Sequence, residues 1–407
     1  MTEPTVAPAP SVRRIVSVDA LRGFDMFWIV GGRELLIAVA ALFCGARGVP
    51  KAFLYQLSHP EWTGFTAWDM IMPLFLFLAG VSLPFAFARR LGESRDYRKI
   101  YRRIARRLVL LWIFGMIAQG NLLEFNLDTL HLFSNTLQAI AVGYLIAAVA
   151  VLHLTLPLQA LLAAALLAAY WLLMMFVPAP GLAAGTLEPD ANLALWLDEF
   201  ILRGFRDGTS YAWILPGFGF GGTVLLGVFG GHVLRQESWS PRRRLLVLTG
   251  MGLACLAGGW LWGLHFPIIK HLWTSSMVLW AGGWSFLLLA AFYLVVDIWH
   301  WERWTFPFIV IGSNAILIYM AVHVVDVGGW LEDFWTTGDP GVIAGADRRG
   351  GRPSVLCPPV SPLPLQDIPA RVTLVSPDFL SSTRGRRPRP PAGTATRRSA
   401  PPPPLRA

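Results

Sequence analysis

The chain has 407 residues, 55% of them hydrophobic and 14% charged, whereas soluble domains carry about 25% charged residues. That balance argues against a water-soluble globular protein. The net charge is +9, but residues 341–407 hold eleven Arg, no Lys and three Asp, a net of +8. The remainder is nearly neutral and gives no ground for a nucleic-acid partner.

Residues 1–12 are rich in Pro and Ala and lack the basic-then-apolar order of a signal peptide; they read as a short disordered tail. Residues 13–340 read as a membrane domain. Apolar runs approaching the roughly 20 residues that cross a bilayer recur at 24–44, 65–88, 108–123, 131–152, 158–177, 211–234, 245–264, 272–296 and 306–325. The first is interrupted by Arg33 and Glu34, and the third is short. Period-two alternation is absent, which disfavours a β-barrel. The expected fold is all-α: a polytopic transmembrane bundle of about nine to ten helices in a lipid bilayer, each satisfying its own backbone.

Lys and Arg in the loops set the orientation. The basic stretches at 13–22, 89–107 and 235–244, with Arg303, fall on one side. The other side holds only Arg47, Lys51, Arg203, Arg206 and Lys270. This predicts a multi-pass protein of the cell (inner) membrane with a cytoplasmic N-terminus and with His59, Lys270 and His271 outside. From about residue 341 the chain loses its apolar runs and becomes rich in Arg and Pro. Such a segment lacks the apolar surface to order itself and reads as a disordered tail or as the product of a reading-frame change.

Several patterns carry no chemistry. Gly217-Phe218-Gly219-Phe220-Gly221-Gly222 contains GxGxxG, but a dinucleotide site needs a preceding strand, and this run is an apolar helix. Gly217/Gly221 and Gly227/Gly231 at GxxxG spacing suggest close helix packing instead. Cys44, Cys255 and Cys357 have no metal or redox spacing. The basic stretch at 89–107 is most simply topogenic, and it also suits an anionic lipid or a phosphorylated cofactor.

The informative segment is Ser58-His59-Pro60-Glu61-Trp62-Thr63-Gly64, running into Asp69 and the second apolar run. Ionisable groups are costly at this depth, so their clustering marks a candidate site. Imidazole acts as base or nucleophile near neutral pH. Glu61 lies two residues on, and Asp69 falls about two turns into a helix that begins near Trp62. An interfacial His beside Trp62 is equally at home in an aromatic belt. Lys270 and His271 share the outer side with His59, although snorkelling explains a lysine there too. Asn314 and His323 lie in the last apolar run, where a buried amide usually bonds a neighbouring helix. Asp19 and Arg22 read as an ion pair at the start of the first.

Taken together, the segments Ser17–Phe24, His59–Gly64 with Asp69 and Pro73, Leu137–Tyr144, Lys270–Trp273 and Gly312–Leu317 occur in an order that resembles the heparan-α-glucosaminide N-acetyltransferase family. The pattern is closer still to that family's bacterial relatives, multi-pass acyltransferases carrying a domain of unknown function. The resemblance runs from about residue 17 to 325. It implies an enzyme that moves an acetyl group from acetyl-CoA to an amino sugar across the membrane. On this resemblance His59 takes the place of the active-site histidine, in the setting His-x-x-Trp-x-Gly, as an acetyl-histidine relay or as base in direct transfer. Asp69 would orient the ring, and Glu61, Trp62, Lys270, His271 and Asn314 would contact the substrate or the acyl donor. The chain departs from the family pattern at Ile269, where an Asn is usual, and at Trp213-Ile214-Leu215-Pro216, where Asp-Pro-Glu-Gly is common. A transporter or flippase of a sugar or lipid-linked substrate, and an inactive membrane scaffold, are the alternative classes. The oligomeric state has no sequence signature.

Overall fold

The computed structural model describes residues 15–45, 48–93 and 96–324, with the side chains of 89–93 excepted. The two expected tails, Cys357, Arg13, Arg14 and the end of the last apolar run lie outside the described residues.

The first apolar run forms α1 (Val16–Phe27) and α2 (Arg33–Cys44), joined by a π-turn at Trp28–Gly32. Gly31 sits there at φ 138°, a value closed to most side chains. A short α3 (Lys51–Gln56) follows, then α4 (Ile71–Glu93) and α5 (Tyr97–Gln119). Next come α6 (Thr136–His153), α7 (Leu156–Phe176), a two-stranded hairpin of β1 (Leu187–Glu188) and β2 (Ala191–Asn192), and α8 (Leu193–Leu202). The described chain closes with α9 (Gly217–Arg235), α10 (Pro241–Gly263), α11 (Ser275–Phe292), α12 (Phe306–Ser313) and α13 (Ala315–Val324).

The all-α bundle is as expected, but fewer of its helices have the length and apolar character of a span. Seven helical segments among the described residues are long and apolar enough to cross a membrane, or eight if α12 and α13, bent by 66°, make one span. The run at 108–123 is the one that falls short. In α5 the first half carries Arg98, Lys99, Arg102, Arg103, Arg106 and Arg107. The apolar remainder rises only about 18 Å, well short of the hydrocarbon thickness.

Helix starts also move, because polar caps set them. Asn135 accepts from Leu137 N, and Gln138 Oε1 accepts from Asn135 N. This capping box starts α6 at Thr136 rather than at 131. The run expected from 211 becomes helical only at Gly217, after Pro216.

At the centre is α9, nearly enclosed by α4, α6, α7 and α11. Glycine makes this possible. A Cβ on Gly227 would lie 1.9 Å from Phe77 O, and one on Gly80 would lie 2.0 Å from Val224 O. The α4 and α9 backbones therefore touch, as the GxxxG spacing in α9 suggested. By contrast α10 buries only Leu248, Gly252 and Gly259 and turns Leu246, Leu253, Trp260 and Leu261 outward, as a helix facing lipid does. Asp19 and Arg22 do form an ion pair, at 3.5 Å, and Arg22 also donates to Ser82 Oγ at 2.6 Å.

Candidate active site

Between α3 and α4, residues 57–66 are not helical. Thr63 pairs with Ile269 in an antiparallel bridge, and Gly64 N donates to Ile268 O at 2.9 Å. Gly64 has φ 120°, which only glycine adopts without strain. Helix begins after Thr66, which caps a 3₁₀ turn at Ala67–Met70 leading into α4. Thr66 N donates to Asp69 Oδ2 at 3.0 Å, closing a capping box. Asp69 thus sits in the first turn, not two turns deep. The strand-like pairing with Ile268 and Ile269 holds residues 63–64 out of the helix. Arg33 Nε braces the loop through Leu57 O at 2.7 Å, and Thr66 Oγ1 donates to Ser58 O at 2.7 Å.

Three ionisable groups meet here from distant parts of the chain. His59 Nδ1 lies 2.5 Å from Asp69 Oδ1, and Lys270 Nζ lies 3.1 Å from the same oxygen and 3.4 Å from His59 Nδ1. Asp69 has no exposed side-chain surface, Lys270 keeps 9% and His59 29%. An ionised carboxylate only accepts hydrogen bonds, so the His59 proton at this contact sits on Nδ1. In the neutral ring Nε2 then carries the free lone pair. Burial pushes the Lys270 ammonium below its ordinary value, and the Asp69 charge pulls it back up.

The Lys270 loop is fixed from several sides. Tyr170 OH donates to Leu272 O. Thr274 Oγ1 donates to Pro267 O at 2.8 Å, and Ser276 Oγ to Phe266 O at 2.5 Å. Trp273 turns the chain at φ 51°, a strained value for a non-glycine residue. It is held by its indole bond to Thr223 Oγ1 at 3.1 Å and by the edge of Phe220.

Beside this cluster the His271 ring stacks on Trp62 (centroids 5.1 Å apart) and packs on Tyr211 (4.1 Å). Trp62 Nε1 donates to Leu187 O at 2.8 Å, tying the ring to β1. Burial, then the charges on Lys270 and His59, push His271 down to about 4. Burial and the Asp69 charge push the Tyr211 phenol up. Tyr211 is positioned through its neighbours at 212–214. Ala212 N donates to His271 O at 3.0 Å, and the buried Asp198 accepts from Trp213 N (2.7 Å) and Ile214 N (3.0 Å). Desolvation raises Asp198 to about 6 against those two donors.

His59, Asp69, Lys270, Trp62 and His271 are therefore brought together. Glu61 is exposed on the loop. Asn314 is exposed at the bend between α12 and α13, and its amide donates to Val310 O at 3.0 Å; none of its hydrogen bonds reaches the His59 cluster. Tyr211 and Arg33 were not singled out as site residues from the sequence. Arg33 left one signal, a charge interrupting an apolar run. Tyr211 left none, being 152 positions from His59 in a loop read as the start of a helix.

Residues 14–149 match a family described as a domain of unknown function (DUF5009). The chain is 24% identical to the heparan-alpha-glucosaminide N-acetyltransferase of Mus musculus, over 78% of this chain and 55% of that protein. It is 23% identical to the Homo sapiens protein of the same name, over 77% of this chain and 53% of that one. The chain spans about half the length of these curated relatives. Along about three quarters of its length the chain is thus similar, at low identity, to proteins named heparan-alpha-glucosaminide N-acetyltransferase.

Proposed function

We propose that this chain is a transmembrane acyltransferase that moves an acetyl group from acetyl-CoA to an amino sugar on the outer side of the cell (inner) membrane. The observation that carries the reading is the His59–Asp69–Lys270 cluster. Asp69 holds Nδ1–H at 2.5 Å and directs the basic Nε2 away from the carboxylate. A carboxylate that fixes the tautomer of a half-buried imidazole is the orienting half of a catalytic dyad. The ring serves as nucleophile towards an acyl group or as base towards an amine. Lys270 Nζ, 3.1 Å from the same carboxylate, sets a cation beside it.

Acetyl-CoA, when bound, supplies an activated thioester. The chain offers residues that suit its phosphates. Arg103, Arg106 and Arg107 line a cavity of about 410 Å³ whose walls include Leu110, Leu111, Phe114 and Ile316. Guanidinium groups bind phosphate through charge-assisted, often paired, hydrogen bonds. These arginines lie in the basic stretch assigned to the cytoplasmic side by loop charge.

The test is transfer of radiolabelled acetyl from acetyl-CoA to glucosamine by purified wild type and His59→Ala. The variant should lose at least about 10²-fold in rate while inserting and folding normally, since the ring is partly exposed. Wild-type rates in His59→Ala would remove the histidine from the mechanism. The bend between α12 and α13 favours a second reading, because broken helices recur in transporters. Sugar uptake into vesicles without any acylation would select it.

A further inference from the structure

His271 contributes a second imidazole to the site, and its surroundings give it a different character from His59. Its Nδ1 is buried and makes no hydrogen bond among the described residues. A buried unpaired N–H is rarer in native proteins than an unpaired lone pair, so the ring proton belongs on Nε2. The two rings are then complementary: His59 Nε2 accepts, and His271 Nε2–H donates. The His271 ring is fixed between Trp62 and Tyr211, and its backbone is fixed through Ala212 N.

We propose that His271 is the specificity-determining residue of the acceptor subsite, donating Nε2–H to a hydroxyl oxygen of the sugar whose amine meets His59. This rests on the acyltransferase reading above. Trp62 and Tyr211 both pack against the His271 ring, so the group it has left to offer is a neutral donor at its edge, which suits a sugar hydroxyl. The ionisable groups that face His271 are Lys270, His59 and Asp69, with the Tyr211 phenol against its ring. The Lys270 charge is matched by Asp69 at 3.1 Å. A neutral His271 therefore adds no repulsion towards a cationic amine. Protonation near pH 4 makes it a poor base for an amine, which leaves binding as its role.

The experiment measures binding of glucosamine and of cyclohexylamine, an amine on a ring without hydroxyls, by titration calorimetry. Wild type, His271→Phe and His59→Ala are compared in the same detergent. His271→Phe keeps an aromatic ring against Trp62 and Tyr211 and removes both ring nitrogens. It should bind glucosamine about tenfold more weakly, the value of one hydrogen bond, with unchanged affinity for cyclohexylamine. His59→Ala should lose affinity for both amines alike and retain the preference for glucosamine. Equal glucosamine binding by wild type and His271→Phe overturns the proposal. Equal losses for both ligands in His271→Phe, or no glucosamine binding by wild type, overturn it too. Acetyl transfer is followed in parallel. A wild type that binds glucosamine through His271 but never acetylates it would refute the proposed reaction and leave the subsite standing.

Discussion

Replacing Asp69 by Asn, alone and together with Lys270→Met, tests the central cluster most directly. Three donor groups surround the carboxylate: His59 Nδ1 at 2.5 Å, Lys270 Nζ at 3.1 Å and Thr66 N at 3.0 Å. An amide keeps one acceptor oxygen and turns an NH₂ towards the rest, so a donor faces a donor. Asp69→Asn also strands the Lys270 ammonium, which is only 9% exposed. Breaking a buried pair from one side costs about 3–5 kcal/mol, and loss of a proton from Lys270 limits the cost to the lower part of that range. Lys270→Met should cost about 2–3 kcal/mol, because His59 remains as a partner for the carboxylate. In Asp69→Asn/Lys270→Met both charges are gone and the broken pair is counted once. The double variant should therefore be more stable than the sum of the singles by at least about 2 kcal/mol. Activity should not follow stability. With no carboxylate to hold Nδ1–H, acetyl transfer should stay at least about 10²-fold below wild type in both Asn variants. Urea unfolding in mixed micelles, read by tryptophan fluorescence, gives the stabilities, and labelled acetyl-CoA gives the rates. Costs that add to within about 0.5 kcal/mol would refute a coupled buried pair. Recovery of transfer in the double variant would refute the orienting role of Asp69.

Gly227→Ala would place a methyl 1.9 Å from Phe77 O and should cost about 2 kcal/mol or more, since two backbones have to part. Gly250→Ala, with nothing within 4 Å of the added carbon, should be neutral or stabilise by up to about 1 kcal/mol; thermal unfolding of the pair checks the close packing of α4 on α9. Ser58→Cys should react with a membrane-impermeant maleimide in intact cells, and labelling only after permeabilisation would reverse the assigned orientation. Stability should also depend on pH through His271, which titrates at about 4 when folded against 6.5 ordinarily. Between those values the unfolded state binds the extra proton, so this contribution is complete above pH 6.5 and is lost as pH falls towards 4. Its size is on the order of 3 kcal/mol. Asp198, raised to about 6, acts in the opposite sense in the same window, so the quantity to measure is the Tm difference between wild type and His271→Phe. That difference should shrink on acidification, and a pH-independent difference would count against the buried neutral ring.

Hydrocarbon imposes a local rule, and whatever obeys it was legible in the sequence. A helix crossing a bilayer has to be apolar over its own length and satisfy its own backbone, so the all-α bundle and most of its spans are written in consecutive residues. The glycine spacing in α9 announced close packing for the same reason, because a missing Cβ is a local property. The exact starts of the helices were less legible. At α4 and α6 they depend on side chains such as Thr66 and Asn135 folding back onto nearby N–H groups, and in α5 charge and apolar length had to be weighed together. His59 and Asp69 share one short segment, so their clustering was legible, while the orienting role of Asp69 came only with the family resemblance. Lys270 comes from 211 positions beyond His59, and only the antiparallel pairing of Thr63 with Ile269 brings the two loops into register. Tyr211 belongs to the same class, since its place against His271 is set by Asp198 capturing the N–H groups of Trp213 and Ile214. Contacts between loops carry no period and no composition, so the choice of which loops meet around the imidazole belongs to the tertiary structure alone.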